Sequence, residues 1–117
     1  MLVAEQLNIE QLNLEGVVSL NWKDIKPEEG APGITVRTLW QGGDNKRVCV
    51  YEFQPGSVFP GIDIHEPGPE QVFVISGDLS GDGNTYRAGD FIHFPEGTSH
   101  IPQSKDGCVL LVTFPEG

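Results

Sequence analysis

Short apolar runs, each broken by glycine or proline, set the pattern of this chain. Runs of strand length, rich in β-branched and aromatic residues, fall at 34–39, 48–53, 62–65, 71–75, 91–94 and 108–114. Between them stand turn signals such as Pro55-Gly56, Asp82-Gly83, Ala88-Gly89 and Pro95-Glu96-Gly97. No long stretch repeats its apolar positions at helical spacing, so helix is a minor component. Many short strands separated by regular turns predict an all-β sandwich or barrel.

The start of the chain reads differently. Gln6-Leu7-Asn8-Ile9-Glu10 is followed by the near-copy Gln11-Leu12-Asn13-Leu14-Glu15. A single duplication cannot stack into a repeat architecture. Residues 1–21 are therefore expected to form an N-terminal arm or edge strand, with 22–117 as the folded domain. Such an arm can cover a barrel edge or cross to a second subunit, which fits a homodimer. Residues 26–33, Lys-Pro-Glu-Glu-Gly-Ala-Pro-Gly, read as a surface loop.

Length and charge narrow the classes of function. A chain of 117 residues supports one domain around one core. Seventeen acidic against seven basic residues give a net charge of −10, and no basic cluster interrupts it. Such a surface repels phosphate backbones and anionic lipid, which argues against nucleic-acid and membrane partners. No apolar run is long enough to span a bilayer. Residues 1–6 lack a basic stretch followed by an apolar one, so the expected location is cytoplasmic. Cys49 and Cys108 each sit within apolar strand-like runs and read as buried structural thiols, too few for a disulfide scaffold.

The candidate chemistry lies in two segments, Gly56 to Gly77 and Gly89 to His100. Side chains alternate across a strand, so Asp63 and His65 share one face while Ile62 and Ile64 take the other. Glu70 opens the next strand on the face of Val72 and Val74. The four residues 66–69 suffice for a turn that lets Glu70 pair across from Asp63 and His65. His100 follows the Pro95-Glu96-Gly97 turn at the end of another strand. Four polar groups on an apolar interior face are costly unless satisfied, and one bound cation satisfies all of them. Two imidazoles with two carboxylates suit one divalent ion, Zn, Fe, Mn or Ni, and both carboxylates together offset its charge. Asp78-Leu79-Ser80-Gly81-Asp82-Gly83 imitates the opening of a calcium loop. Its twelfth position is Gly89 rather than a glutamate, so it reads as a hairpin turn with Asp82-Gly83 at the tip. His93 alternates with Ile92 and Phe94 and is expected outside the barrel. Trp22 and Trp40 read as core or rim packing.

These two segments resemble the paired motifs of the cupin superfamily, G-x5-HxH-x3-4-E-x6-G and G-x5-PxG-x2-H-x3-N. Glu70-x6-Gly77, Gly89-x5-Pro95, Pro95-x-Gly97 and Gly97-x2-His100 match in residue and spacing. More narrowly, Trp22, Pro32-Gly33, Pro55-Gly56, Gly77-Asp78, Gly89-Asp90 and Ser104-x2-Gly107-Cys108 look like the cupin domain of ChrR-type anti-sigma factors and related stand-alone cupins. The likeness runs over 22–114 and is strongest over 55–114. It implies a single jelly-roll (double-stranded β-helix) barrel whose interior holds a metal through Asp63, His65, Glu70 and His100. Two positions depart from the pattern: Asp63 stands where the family has its first histidine, and Ser104 where it has asparagine. Aspartate is a shorter, harder and charged donor, so the metal can differ from the family's usual one, or Asp63 can contact it through water.

Three functions follow from the resemblance. The first is a stand-alone metal-binding cupin with a small-molecule pocket. If catalytic, it is an isomerase or a dioxygenase of the acetylacetone- or quercetin-cleaving type, with Glu70 as ligand and candidate base. The second is a non-catalytic sensor or regulatory module. In ChrR-type proteins the cupin follows a zinc-dependent helical domain that grips the sigma factor. The segment before Trp22 is short and has no cysteine or histidine, which speaks against an anti-sigma factor by itself. The third is a metal-free cupin that keeps a polar pocket.

Overall fold

A computed structural model describes residues 8–117. Nine strands make up two sheets: β1 (Glu28–Ala31), β2 (Ile34–Gln41), β3 (Arg47–Phe53), β4 (Asp63–Ile64), β5 (Glu70–Ser80), β6 (Thr85–Arg87), β7 (Phe91–Phe94), β8 (Ser99–His100) and β9 (Cys108–Phe114). The larger sheet runs β1-β2-β3-β9-β5-β6, with β7 also paired to β5, and the smaller sheet is β4 with β8. Helix among the described residues is confined to three single 3₁₀ turns. This is the all-β barrel expected from the sequence, and among the described residues no helix is long and apolar enough to cross a membrane.

Alternation places the core. On β5, Glu70, Val72 and Val74 are buried while Phe73 and Ile75 face out. On β9, Cys108, Leu110 and Val112 point inward and pair with Phe53, Tyr51 and Cys49 of β3. The core gathers Ile34, Phe53, Val72, Val74, Leu79 and Leu110 between the sheets. Cys49 and Cys108 are both buried and free, as expected.

Several elements differ from the pattern read along the chain. Residues 26–33 contain β1, an edge strand whose Glu28-Glu29-Gly30 stretch is exposed and carries no apolar signal. β5 continues to Ser80, beyond the apolar run, because a register shift near Val74–Ser76 lets it keep pairing with β9. The continuation needs Gly77, at φ +80°, where a Cβ would lie 1.9 Å from the Gly107 carbonyl oxygen. The hairpin tip at Asp82-Gly83 stands as expected: Ser80 pairs with Thr85, and the Asn84 amide donates to the Asp82 carboxylate.

The N-terminal segment from Asn8 to Asn21 joins neither sheet, and its backbone bonds are local. Gln6 and Leu7, which open the first copy of the near-repeat, and the start read for a leader lie outside the described residues. Trp22 and Ile25 return the chain to the barrel: Arg37 Nε donates to the Ile25 carbonyl at 2.8 Å, and the Arg37 guanidinium stands 5.1 Å from the Trp22 ring centre. Trp22 is half-buried at this contact, whereas Trp40 is a rim residue lying against Gly42.

Candidate metal centre

The two motifs meet through the small sheet. β4 pairs with β8 so that Asp63 lies opposite His100, and Ile64 opposite Ser99. The Gly97 amide donates to the His65 carbonyl and the His65 amide to the Thr98 carbonyl, which carries the pairing past β4. Gly97, at φ +86°, makes the turn that brings Thr98 and His100 back to this edge. Glu70 does not pair across from Asp63 and His65: its strand partner is Phe94 of β7. It reaches them across the barrel, because β5 belongs to the larger sheet and aims its inner face at the smaller one.

Asp63, His65, Glu70 and His100 thus come together, with one donor atom from each within 4.8 Å of every other. His65 Nε2 lies 2.7 Å from Glu70 Oε2 and 3.6 Å from Asp63 Oδ2. His100 Nε2 is 3.2 Å from Asp63 Oδ2 and also 3.2 Å from His65 Nε2. Phe94 backs both imidazoles, its ring centre 4.7 Å from each. His65, Glu70 and His100 are buried, while Asp63 is half-buried. His93 is exposed on the far face of β7, as strand parity requires.

Hydrogen bonding sets one tautomer. Thr98 Oγ1 donates to the Pro95 carbonyl at 2.6 Å, so its lone pairs face His65 Nδ1 at 2.9 Å. His65 therefore carries its proton on Nδ1, and Nε2 presents a bare lone pair to the cluster. Burial, and then the neighbouring His100, lowers the His65 pKa and keeps the ring neutral. The His100 hydrogen bond outweighs burial and holds the Asp63 carboxyl below its ordinary value. Burial, then the Asp63 charge, pushes Glu70 up to about 7, against the pull of His100 and Arg47. A lone pair on His65 Nε2 facing a carboxylate oxygen at 2.7 Å repels it unless a proton or a cation lies between. A proton on Glu70 relieves one such contact, whereas a cation relieves them all. Adjacent donors around a cation bonded at about 2.0–2.2 Å sit about 3–3.6 Å apart, close to the separations seen. The donor set therefore fits a divalent metal.

The cluster forms part of the wall of a cavity of about 310 Å³ inside the barrel. Apolar side chains including Phe53, Phe59, Val72, Leu110 and Phe114 line the remainder, together with Tyr51 and Arg47. Burial raises the Tyr51 phenol, so it stays protonated. Thr98, Tyr51 and Arg47 were not singled out from the sequence. Thr98 carried a signal, since it sits between the Pro-x-Gly turn and the histidine of the second motif. Ser104, the departure from the motif, is remote from this cluster. Its hydroxyl and the Lys105 and Asp106 amides converge on the buried Asp78 carboxylate, which anchors the loop before β9.

Fold and donor cluster together define a cupin. The chain belongs to the ChrR cupin-like family, whose model matches residues 15–115. Among solved structures, the barrel superposes on the anti-sigma factor ChrR from Rhodobacter sphaeroides, crystallised with SigE, at TM-score 0.70 and 20% identity. That match covers 80% of this chain and 51% of ChrR, so this chain spans about half the length of that protein. The polyketide cyclase RemF from Streptomyces resistomycificus matches at TM-score 0.73 and 23% identity, over 86% of this chain and 80% of its own. An acetylacetone dioxygenase from Acinetobacter johnsonii matches at 0.72 and 20% identity, over 90% and 76%. No curated protein matches the chain.

The Thr98 bond makes a prediction. Thr98→Val removes the acceptor that holds the Nδ1–H tautomer, and metal affinity should fall by about 10–100-fold with the fold intact. Competition with a chromophoric chelator measures this, while Thr98→Ser should behave like the parent. Equal affinity in all three proteins would show that the hydroxyl does not set the imidazole.

Proposed function

We propose that this protein binds one divalent metal through Asp63, His65, Glu70 and His100 and uses it to hold a small molecule in the barrel cavity. The observation that carries this reading is the convergence of donor atoms from two imidazoles and two carboxylates in a cavity wall. A purely structural site would close around its ion, whereas here the half-buried Asp63 leaves one side reachable from the cavity. When bound, the metal would act as a Lewis acid on a ligand oxygen. The chain's own residues position it: Thr98 orients His65, Phe94 backs both rings, and the apolar walls exclude water.

Elemental analysis of protein purified without chelator tests the reading, with about one equivalent of metal per chain expected. A protein that arrives empty and takes up no Zn(II), Fe(II), Mn(II) or Ni(II) would overturn it and leave a metal-free cupin. Catalysis is a further step. The accessible side of the site favours oxygen-dependent cleavage of a β-diketone as the reaction to try first, given the fold likeness to the Acinetobacter johnsonii enzyme. Oxygen uptake by the iron-loaded protein decides between that reaction and a sensor role without turnover.

We also read the partner as a second copy of this chain. Phe73, Ile75 and Phe91 form an exposed apolar patch on the outer sheet face, and Leu12, Leu14, Val17, Val18 and Leu20 stand exposed on the N-terminal segment. Reciprocal exchange would let each segment cover the other copy's patch. Sedimentation should give a dimer that Phe73→Lys with Phe91→Lys converts to monomer, and a monomeric parent would refute the exchange.

A further inference from the structure

We propose that the cavity ligand is a small apolar carboxylate, its charged group bound by the Arg47 guanidinium and the Tyr51 hydroxyl. The proposal deepens the reading of the cavity as a ligand site and rests on it. On β3, Arg47, Cys49, Tyr51 and Phe53 pair with Phe114, Val112, Leu110 and Cys108 of β9. Partners directly opposite share a face, and the β9 residues face the core, so Arg47 and Tyr51 also point inward. Both line the cavity.

Arg47 is half-buried, and no buried side-chain nitrogen among the described residues lacks a partner, so its unspent donors stand open to solvent or to a ligand. Arg47 lies over the Phe114 ring, 3.7 Å from its centre, and donates one hydrogen bond, from Nη1 to the Asn45 carbonyl at 3.0 Å. Among the described residues no carboxylate lies within 4.0 Å of it, in contrast to Arg37, which is paired with Glu52. A guanidinium carries five N–H donors in a planar fork, so most of its capacity is unspent. The Tyr51 hydroxyl, half-buried on the same face, is not among buried atoms lacking a partner and so is likewise open to solvent or to a ligand.

Charge points the same way. A divalent ion would be offset by Asp63 and Glu70, which leaves Arg47 as the one cationic side chain lining the cavity among the described residues. Glu66 also lines it, but is solvent-exposed in the turn after β4, where water screens its charge. A ligand carboxylate would therefore complement the guanidinium. A carboxylate meets the planar fork in a bidentate fashion, which a neutral amide does not reproduce. Phe53, Phe59 and Phe114 supply an apolar wall for the body of the ligand, and a cavity of about 310 Å³ limits it to a small molecule.

The test is isothermal titration of metal-loaded protein with benzoate, phenylacetate and 3-phenylpropanoate, each beside its primary amide. At least one carboxylate should bind about tenfold or more tightly than its amide. Arg47→Gln should remove that preference, weakening the carboxylate about 10–100-fold while changing amide binding less than about threefold. Arg47→Lys should retain part of it. Unchanged Co(II) absorption and melting temperature in the variants exclude damage to the metal site or the fold. Amides binding as well as carboxylates, or a preference that survives Arg47→Gln, would overturn the assignment of Arg47 while leaving a ligand site in place. No binding of any probe would count against the ligand site itself, and the proposal would fall with it.

Discussion

His100→Ala is expected to abolish tight divalent-metal binding, lowering affinity by more than about 100-fold, beyond the loss typical of removing a supporting group. His100 Nε2 lies 3.2 Å from both Asp63 Oδ2 and His65 Nε2, so its removal opens one whole side of the donor cluster. The barrel should survive, because His100 sits on the two-residue strand β8 and the main sheet is built without it. Circular dichroism and chelator competition separate the two effects: an intact spectrum with lost metal supports the site, and undiminished affinity removes His100 from it. Asp63→Ala is the sharper comparison. Asp63 is half-buried and is the donor that replaces a histidine in the motif. As a direct ligand, its loss removes one of two offsetting charges and should cost about as much as the loss of His100. Acting through water, it should cost about tenfold, as an outer-shell partner does.

Parity along the strands made His65, Glu70 and Asp63 legible, since alternation is a local rule and each lies in or beside a short β-run. The mode of their meeting was not legible. The turn at 66–69 is short enough for a hairpin, yet β4 pairs with β8, contributed by the other motif, and β5 pairs with β7. Register between distant segments depends on closure of the barrel, which no local pattern records. Arg47 and Tyr51 escaped notice for a related reason. Val48 and Val50 on the outer face of β3 are as apolar as the inner positions, and Val50 is fully buried. The turn at Trp22 and Ile25, tied to Arg37 opposite Val50, lies over this outer face, so β3 is covered on both sides and loses its alternation. β1 was hidden by the opposite cause: its exposed edge carries Glu28 and Glu29, suitable for blunting an edge but silent as a strand signal.

Metal affinity should fall at least about tenfold for each pH unit below 7 and level off above it. The cause lies in Glu70, whose carboxyl is pushed up to about 7 by burial and then by Asp63. Below that value the metal-free site holds a proton that the metal must displace, and above it the carboxylate is already free. His65 imposes no such cost near neutrality, because its lowered pKa leaves the ring neutral there. In the metal-free protein the two groups act with opposite sign. A raised Glu70 pKa makes stability fall as pH climbs from the ordinary carboxylate range toward 7. A lowered His65 pKa makes stability rise as pH climbs toward the ordinary imidazole value. These contributions oppose each other below the ordinary imidazole value, so metal-free melting should vary less with pH there than either group alone would make it. The metal-dependent rise in melting temperature should instead grow steeply from pH 5 to 7, because stabilisation by a ligand follows its affinity. A 100-fold gain over those two pH units corresponds to about 2.7 kcal/mol when free metal exceeds Kd throughout. Scanning fluorimetry with and without metal reads this directly, and Glu70→Gln, which has no proton to displace, should flatten the slope while weakening binding. A metal-dependent shift of the same size at pH 5 and pH 7 would mean that Glu70 does not yield a proton to the ion, and Glu70 would leave the ligand set.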